Sequence, residues 1–165
     1  MPFIHTGKPH CEGRPMDGRV LSNARGRFTR ATSQRRMSEA EVRVLTVDDH
    51  AVFRRAAHDV IATTSGFESV GDAESGEDAL DQVERLRPEL VLLDVRMPGI
   101  GGVETARRIA AAHPDTVVVL ISIEDSEEFR EDVHVCGAAT WVRKQDFGPA
   151  LLRSIWEAHG ARLAG

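Results

Sequence analysis

Leu-Val-Leu-Leu-Asp-Val-Arg-Met-Pro, at residues 90–98, is an apolar run that ends on a carboxylate at Asp94 and then turns. An earlier apolar stretch ends in the same way, on the acidic pair Asp48 and Asp49. Buried carboxylates that converge need a cation or a proton to relieve their mutual repulsion. The two stretches therefore predict a magnesium site and a reactive carboxylate.

Around these stretches, strand-like and helix-like segments alternate along the chain. Short apolar runs typical of buried strands are each followed by apolar residues at helical spacing. The predicted strands are residues 42–47, 67–71, 90–94, 116–121 and 139–142, and the fourth and fifth predicted helices are residues 127–136 and 147–159. Five such βα units predict an α/β fold of flavodoxin-like (βα)5 type, a doubly wound parallel sheet in the order 2-1-3-4-5.

Polar residues stand at the predicted strand ends, which is where ligands bind in open parallel sheets. Besides the acids already named, Ser122 follows the fourth strand and Lys144 follows the fifth. In the predicted order, strands one and three flank the switch point, so Asp49 and Asp94 can share a cation. Asp72 follows the second strand outside that crevice, and we predict a solvated turn residue there.

Composition narrows the class of protein. The 165 residues are 41% hydrophobic and 28% charged, and no apolar run approaches the roughly 18 residues that a membrane span requires. The first residues lack the apolar core of a secretory signal, so we expect a soluble, cytoplasmic protein. Cys11 and Cys136 are far apart and predict neither a disulfide nor a zinc site.

Charge divides the chain into two parts. Residues 1–38 carry eight Lys or Arg against two acids, a net charge of +6, and the remaining residues carry 13 against 24, a net charge of −11. The basic part shows no sustained period and cannot bury enough surface to offset its ordering entropy. We predict a disordered basic N-terminal extension over residues 1–40 and a folded domain over residues 41–162. The extension is either a plain tail or an arm for nucleic acid or another polyanion.

Four motifs together resemble the receiver domain of response regulators, the phosphoaccepting half of two-component signalling. They are Val-Asp-Asp-His at residues 47–50, Leu-Leu-Asp-Val-Arg-Met-Pro-Gly at 92–99, Leu-Ile-Ser at 120–122 and Trp-Val-Arg-Lys at 141–144. The resemblance covers residues 42–160. The Asp-Asp-His start and the Lys-Gln-Asp-Phe that begins at Lys144 are most similar to receivers of the subfamily with helix-turn-helix output domains.

The resemblance implies a role for each site residue. Asp94 is then the phosphoacceptor, and Lys144 and Ser122 contact the phosphoryl oxygens. Mg²⁺ is the implied cofactor, bound by Asp49 and Asp94, with help from Asp48 and from the backbone carbonyl of Arg96. Each residue alone has a plainer interpretation as a turn former, a helix cap or a solvated loop residue. Only their joint placement at the strand ends favours the site.

The resemblance also implies a switch, in which phosphorylation draws Ser122 inward and Trp141 turns in behind it. Trp141 has the alternative interpretation of a static core residue, because indole is too bulky to rotate freely in a close-packed interior. The implied output surface is formed by the fourth helix, the fifth strand and the fifth helix. The implied partners are a sensor histidine kinase or phosphotransfer protein, and downstream a protein target or a second copy of the chain.

Two functional hypotheses of different classes follow. The first is a phosphoaccepting receiver that signals by protein contacts without a DNA-binding output domain of its own, since the chain ends soon after the fifth helix. The second is a phosphorylation-independent scaffold with a receiver-like fold. An enzyme such as a haloacid-dehalogenase-like phosphatase is disfavoured, because that family needs Asp-x-Asp-x-Thr after the first strand, and here the acids are adjacent.

Overall fold

Strands and helices alternate in the structure as the sequence predicts; this computed structural model describes residues 41–124, 133 and 135–160. The strands are β1 (Val42–Val47), β2 (Phe67–Ala73), β3 (Leu90–Asp94), β4 (Val117–Ser122) and β5 (Thr140–Arg143). The helices are α1 (Ala51–Ala62), α2 (Gly76–Leu86), α3 (Gly101–Ala112) and a C-terminal helix (Pro149–His159). All four strand pairs are parallel and the sheet order is β2-β1-β3-β4-β5, which confirms the predicted fold class.

The core consists of two apolar layers, one on each face of the sheet. Side chains of a strand alternate between faces, so Leu45 contributes to one layer and Val44 to the other. Helices α2 and α3 cover the first layer, while α1 and the C-terminal helix cover the second. Both β3 and β4 are buried along their whole length, as expected of central parallel strands with helices on both faces.

Local sequence signals set the boundaries of α2. Ser75 is its N-cap, and its hydroxyl accepts a hydrogen bond of 3.2 Å from the amide of Asp78. At the other end Arg87 takes a left-handed conformation with φ of 47°, and Pro88 follows, which cannot continue the helix. The helix thus begins and ends where the sequence predicts.

Several predicted boundaries were wrong by one or two residues. Strand β2 continues through Asp72, which pairs with Thr46 and is therefore a strand residue and not a turn residue; its side chain is solvated as predicted, 60% exposed, and is ion-paired with Arg54. An edge strand tolerates this acid because its carboxylate still reaches solvent and a guanidinium. Ser122 is the last residue of β4 and does not follow it. The C-terminal helix begins at Pro149, because residues 144–146 form a separate 3₁₀ turn.

Some predictions concern residues outside the described part of the chain. The basic extension over residues 1–40 lies outside it, as do residues 161–162 of the predicted domain and most of the predicted fourth helix. The described end of that helix agrees with the prediction: Val135 and Cys136 are helical and Gly137 follows with φ of 77°. Among the described helices, none has the length and apolar character needed to cross a bilayer.

Candidate phosphorylation and metal site

The polar residues at the strand ends converge at one edge of the sheet. Asp48 and Asp49 come directly after β1, Asp94 ends β3, Ser122 ends β4 and Lys144 follows β5. Strands β1, β3 and β4 are direct neighbours and run parallel, so their carboxyl ends meet at the same edge. The fold therefore brings together residues that are up to 96 positions apart in the chain.

Asp94 lies in a tightly packed position at the end of β3. It is 3% exposed, and the backbone amide of Arg96 approaches its carboxylate at 3.4 Å. The first turn of α3 packs against the Asp94 backbone so closely that a Cβ on Gly102 would lie 2.0 Å from the Asp94 carbonyl oxygen. Gly102 is therefore required for this helix to approach the strand, and it fixes the backbone from which the carboxylate projects.

Three carboxylates and one imidazole form a cluster at this edge. One ligand atom from each of Asp48, Asp49, His50 and Asp94 can be chosen so that all four lie within 4.8 Å of one another. Asp48 is fully buried, Asp94 is nearly so, and Asp49 reaches solvent. Burial raises the pKa of the Asp94 carboxyl above its ordinary value; the Lys144 hydrogen bond opposes this rise, and the Asp48 charge adds to it. Hard oxygen ligands in this number suit Mg²⁺.

Lys144 supplies the cation of the cluster. Its Nζ lies 2.5 Å from Asp48 Oδ2 and 3.0 Å from Asp94 Oδ2, and its side chain is 10% exposed. The ammonium also lies 4.9 Å from the centre of the Phe53 ring, which favours a cation–π contact. Two anions and an aromatic face thus hold the ammonium group between the two buried carboxylates.

Ser122 and Arg96 lie beside the cluster. Ser122 is buried, and its hydroxyl oxygen accepts a hydrogen bond of 3.1 Å from the amide of Glu124. Arg96 follows Asp94 by two residues, and its guanidinium extends outward to Glu124 at 2.6 Å. The side chain of Arg96 therefore faces away from the carboxylates, which leaves only its backbone as a candidate ligand, as the family resemblance implies.

Trp141 lies one strand away from the cluster. It pairs with Leu120 across β4 and β5, and its half-buried side chain packs against the core layer under α2 and α3. Ser122 pairs with Arg143 in the same ladder. The structure thus brings Ser122 and Trp141 onto adjacent strands, and Trp141 has the core contacts of the plainer interpretation.

Sequence reasoning missed two contributors to the site. His50 is the N-cap residue of α1, and its Nδ1 also lies 2.7 Å from Asp49 Oδ1, a contact that was not predicted from the sequence. Its position directly after two acids was the available signal. Phe53, which contacts the Lys144 ammonium and the Phe147 ring, carried no signal because its partners are about 90 residues away.

Comparison with known proteins agrees with this geometry. The family described as "Response regulator receiver domain" matches residues 44–155. The response regulator GacA of Pseudomonas viridiflava is 40% identical over 103 residues, which are 62% of this chain and 48% of GacA. The transcriptional regulatory protein DegU of Brevibacillus brevis is 33% identical over 119 residues, which are 72% of this chain and 50% of DegU. The chain thus spans about half the length of these curated relatives.

A solved structure of a response regulator is also similar to this chain. The two-component response regulator of the LuxR family from Aurantimonas superposes with a TM-score of 0.66 and 27% identity, covering 76% of this chain and 86% of that chain. These relatives agree with the predicted subfamily, whose members carry helix-turn-helix output domains. The chain belongs to the response regulator receiver domain family of two-component signalling.

Proposed function

We propose that this domain accepts a phosphoryl group from a sensor histidine kinase or phosphotransfer protein onto Asp94, in the cytoplasm and with Mg²⁺. One observation carries the proposal: a buried carboxylate, a fixed ammonium and two further carboxylates meet at the strand edge. Chemistry on a phosphoryl group needs a nucleophile and positive charge for the equatorial oxygens, and this cluster provides the nucleophile and part of that charge.

Asp94 acts as the nucleophile in this proposal. Its carboxylate oxygen forms a bond to phosphorus while the bond from phosphorus to the donor breaks, and the donor nitrogen or oxygen keeps the electron pair. Because burial disfavours the ionised form of Asp94, nearby positive charge must keep this carboxylate reactive at neutral pH. Lys144 provides one such charge at 3.0 Å.

Asp49, Asp48, Asp94 and the Arg96 carbonyl would hold the metal ion. When bound, Mg²⁺ neutralises charge that develops on the transferred phosphoryl group. Asp48 is fully buried, and its Oδ2 accepts no hydrogen bond among the described residues apart from the Lys144 ion pair. A buried, incompletely satisfied carboxylate oxygen of this kind fits a site that takes a cation.

Lys144 and Ser122 would contact the phosphoryl oxygens. The ammonium is held within reach of Asp94 and can turn from one carboxylate to a new anionic oxygen without leaving the pocket. The Ser122 hydroxyl oxygen already accepts from the Glu124 amide, so its hydrogen is available to donate to an anion. Both residues therefore favour the phosphorylated state.

Ser122 and Trp141 form the proposed switch. A hydroxyl that moves toward the phosphoryl group leaves space behind it, and Trp141 lies on the neighbouring strand. The output surface would then include β5 and the C-terminal helix, together with the predicted fourth helix. This surface would contact a protein target or a second copy of the chain. The relatives extend to about twice the matched length, so we restrict the proposal to the receiver domain.

Acetyl phosphate with Mg²⁺ tests the proposal. Intact-protein mass spectrometry should show a gain of one phosphoryl group in the wild type and none in Asp94→Asn. Asp59→Asn is the matched control, because that carboxylate is 86% exposed on α1 and away from the cluster, and it should retain uptake. No mass gain in the wild type, with no response to beryllofluoride either, would favour the scaffold hypothesis.

Tryptophan fluorescence tests the switch. Beryllofluoride with Mg²⁺ should change the emission of the wild type and of Trp156→Phe, but not of Trp141→Phe. Trp156 is the suitable control because it packs against the opposite core layer, edge-on to Phe67 at 6.5 Å. An unchanged response in Trp141→Phe would show that Trp141 is a static core residue.

A further inference from the structure

His50 lies at the acidic cluster in an orientation that its sequence position did not predict. Its Nδ1 is 2.7 Å from Asp49 Oδ1 and 3.3 Å from Asp48 Oδ1. Its backbone amide donates to the same Asp48 oxygen at 2.8 Å, and its carbonyl accepts from the Phe53 amide at 3.0 Å as α1 begins. The start of α1 therefore fixes the backbone of His50 and directs its ring toward the carboxylates.

These distances match those between ligands of a shared ion. Neighbouring ligands at right angles around an ion with bonds of about 2.1 Å lie about 3.0 Å apart. The two separations of the His50 nitrogen, 2.7 Å and 3.3 Å, fall on either side of that value. The fourth ligand atom, from Asp94, lies within 4.8 Å of the others. Opposite ligands of such an ion lie about 4.2 Å apart, so the widest separation in the cluster must shrink by at most about 0.6 Å for one ion to contact all four residues.

The chemistry of imidazole decides which ions gain from this arrangement. Mg²⁺ prefers oxygen ligands and keeps several waters, so an imidazole nitrogen adds little to its binding. Imidazole suits divalent transition metals, whose affinity for nitrogen sites increases from Mn²⁺ to Ni²⁺ and Cu²⁺. A carboxylate site that includes His50 therefore differs in metal preference from one made of carboxylates alone.

We propose that His50 is a direct ligand in this metal site, so that the receiver binds divalent transition metal ions such as Ni²⁺ in competition with Mg²⁺. The inference rests on the proposed function, because it concerns the same metal site. The His50 ring is 64% exposed, so an ion can reach it from solvent without opening the core. The buried Asp48 and Asp94 carboxylates provide the charge that holds the ion once it enters.

This inference is tested by titrating metal ions into the full wild-type chain and into its His50→Gln variant. Isothermal titration with NiCl₂ should show binding at least about tenfold weaker in His50→Gln, a larger loss than the one measured with MgCl₂. His58→Gln is the matched control: that ring is also 64% exposed on α1, and its nearest carboxylate, Asp59, lies 4.0 Å away. His58→Gln should bind both ions as the wild type does.

Spin-echo spectroscopy of the Mn²⁺-loaded protein gives a second measurement. Nitrogen modulation of the Mn²⁺ signal should be present in the wild type and in His58→Gln and absent in His50→Gln. An unchanged far-ultraviolet circular dichroism spectrum would show that His50→Gln is folded. Equal Ni²⁺ affinity in the two variants, with nitrogen modulation unchanged, would overturn the inference.

The outcomes also separate this inference from the proposed function. In one outcome, the wild type accepts a phosphoryl group with Mg²⁺ while His50→Gln binds Ni²⁺ as tightly as the wild type does. That pair of results would refute only the ligand role of His50. Ni²⁺ binding that depends on His50, without any phosphorylation on Asp94, would support the metal site and refute the proposed function.

Discussion

Asp94→Asn should stabilise the folded domain when no divalent metal is present. The Asp94 carboxylate is 3% exposed and shares a small volume with the Asp48 and Asp49 carboxylates, with Lys144 as the nearest cation. Its raised pKa shows that the ionised form is less favourable in the fold than in the unfolded chain. In Asp94→Asn, an amide of nearly the same shape replaces the carboxylate and so removes that unfavourable charge.

The size of the effect on stability follows from the burial of Asp94 and from its distances to the neighbouring charges. At an effective dielectric constant of about 20, opposite charges 3.0 Å apart, as for Lys144 and Asp94, attract by about 5.5 kcal/mol. Like charges no more than 4.8 Å apart repel by at least about 3.5 kcal/mol each. The repulsion by Asp48 alone is smaller than the attraction by Lys144, so the net penalty on the ionised Asp94 carboxylate comes mainly from its burial, and we expect Asp94→Asn to stabilise the domain by about 1–2 kcal/mol. For a domain of this size, each kcal/mol of added stability raises Tm by roughly 3–6 °C.

The sign of the pH dependence follows from the raised pKa. Below the unfolded pKa of about 3.9, Asp94 is protonated in both states and the substitution changes little. As pH rises above that value the unfolded chain ionises first, so the wild type loses stability until pH passes the folded pKa. The advantage of Asp94→Asn should therefore grow from about pH 4 upward and then level off.

Urea unfolding in EDTA, followed by circular dichroism across this pH range, measures the difference. Asp59→Asn serves as the control, because an exposed surface carboxylate should change the unfolding free energy by less than about 0.5 kcal/mol. Added Mg²⁺ should stabilise the wild type more than Asp94→Asn, because the variant lacks one carboxylate ligand. An Asp94→Asn variant that is no more stable than the wild type in EDTA at neutral pH would refute the reasoning.

Three further predictions concern packing, titration and capping. Gly102→Ala should destabilise the domain by about 3 kcal/mol or more in urea unfolding, because the new Cβ meets a backbone carbonyl oxygen at 2.0 Å. A Cβ at Gly148 enters open space, so Gly148→Ala should cost at most about 1 kcal/mol, the loss expected at an N-cap position. The pKa of Glu104, lowered to about 2 by hydrogen bonds led by that from Arg107, should be seen by NMR titration and should rise in Arg107→Gln; a normal Glu104 pKa in the wild type would contradict this. Ser75→Ala should lower the unfolding free energy by about 1 kcal/mol through loss of the α2 cap, and an unchanged urea midpoint would speak against it.

Periodicity predicted the alternation of strands and helices, because each strand and helix carries its own apolar spacing, and the strand order was that of the flavodoxin-like arrangement of five such units. Strand β3 was predicted with both bounds correct, since a continuous apolar run ends abruptly at Asp94. Predictions were less accurate where polar residues continue a strand, as at Asp72, which the Arg54 guanidinium accommodates. Arg54 lies on α1, a different element, so the sequence around Asp72 does not indicate that this acid has a partner there.

The sequence by itself determined which polar residues stand at or next to the strand ends. Their meeting at one edge follows from the fold class, because a parallel sheet brings the carboxyl ends of its strands together whatever the side chains are. Only the tertiary structure decided how the side chains meet: Lys144 between two carboxylates and over Phe53, and the His50 ring turned toward Asp49. Such contacts depend on rotamers and on the approach of elements far apart in the chain. The physical reason is that local spacing specifies backbone geometry, whereas the charge balance of a buried site depends on distances of a few ångströms through space.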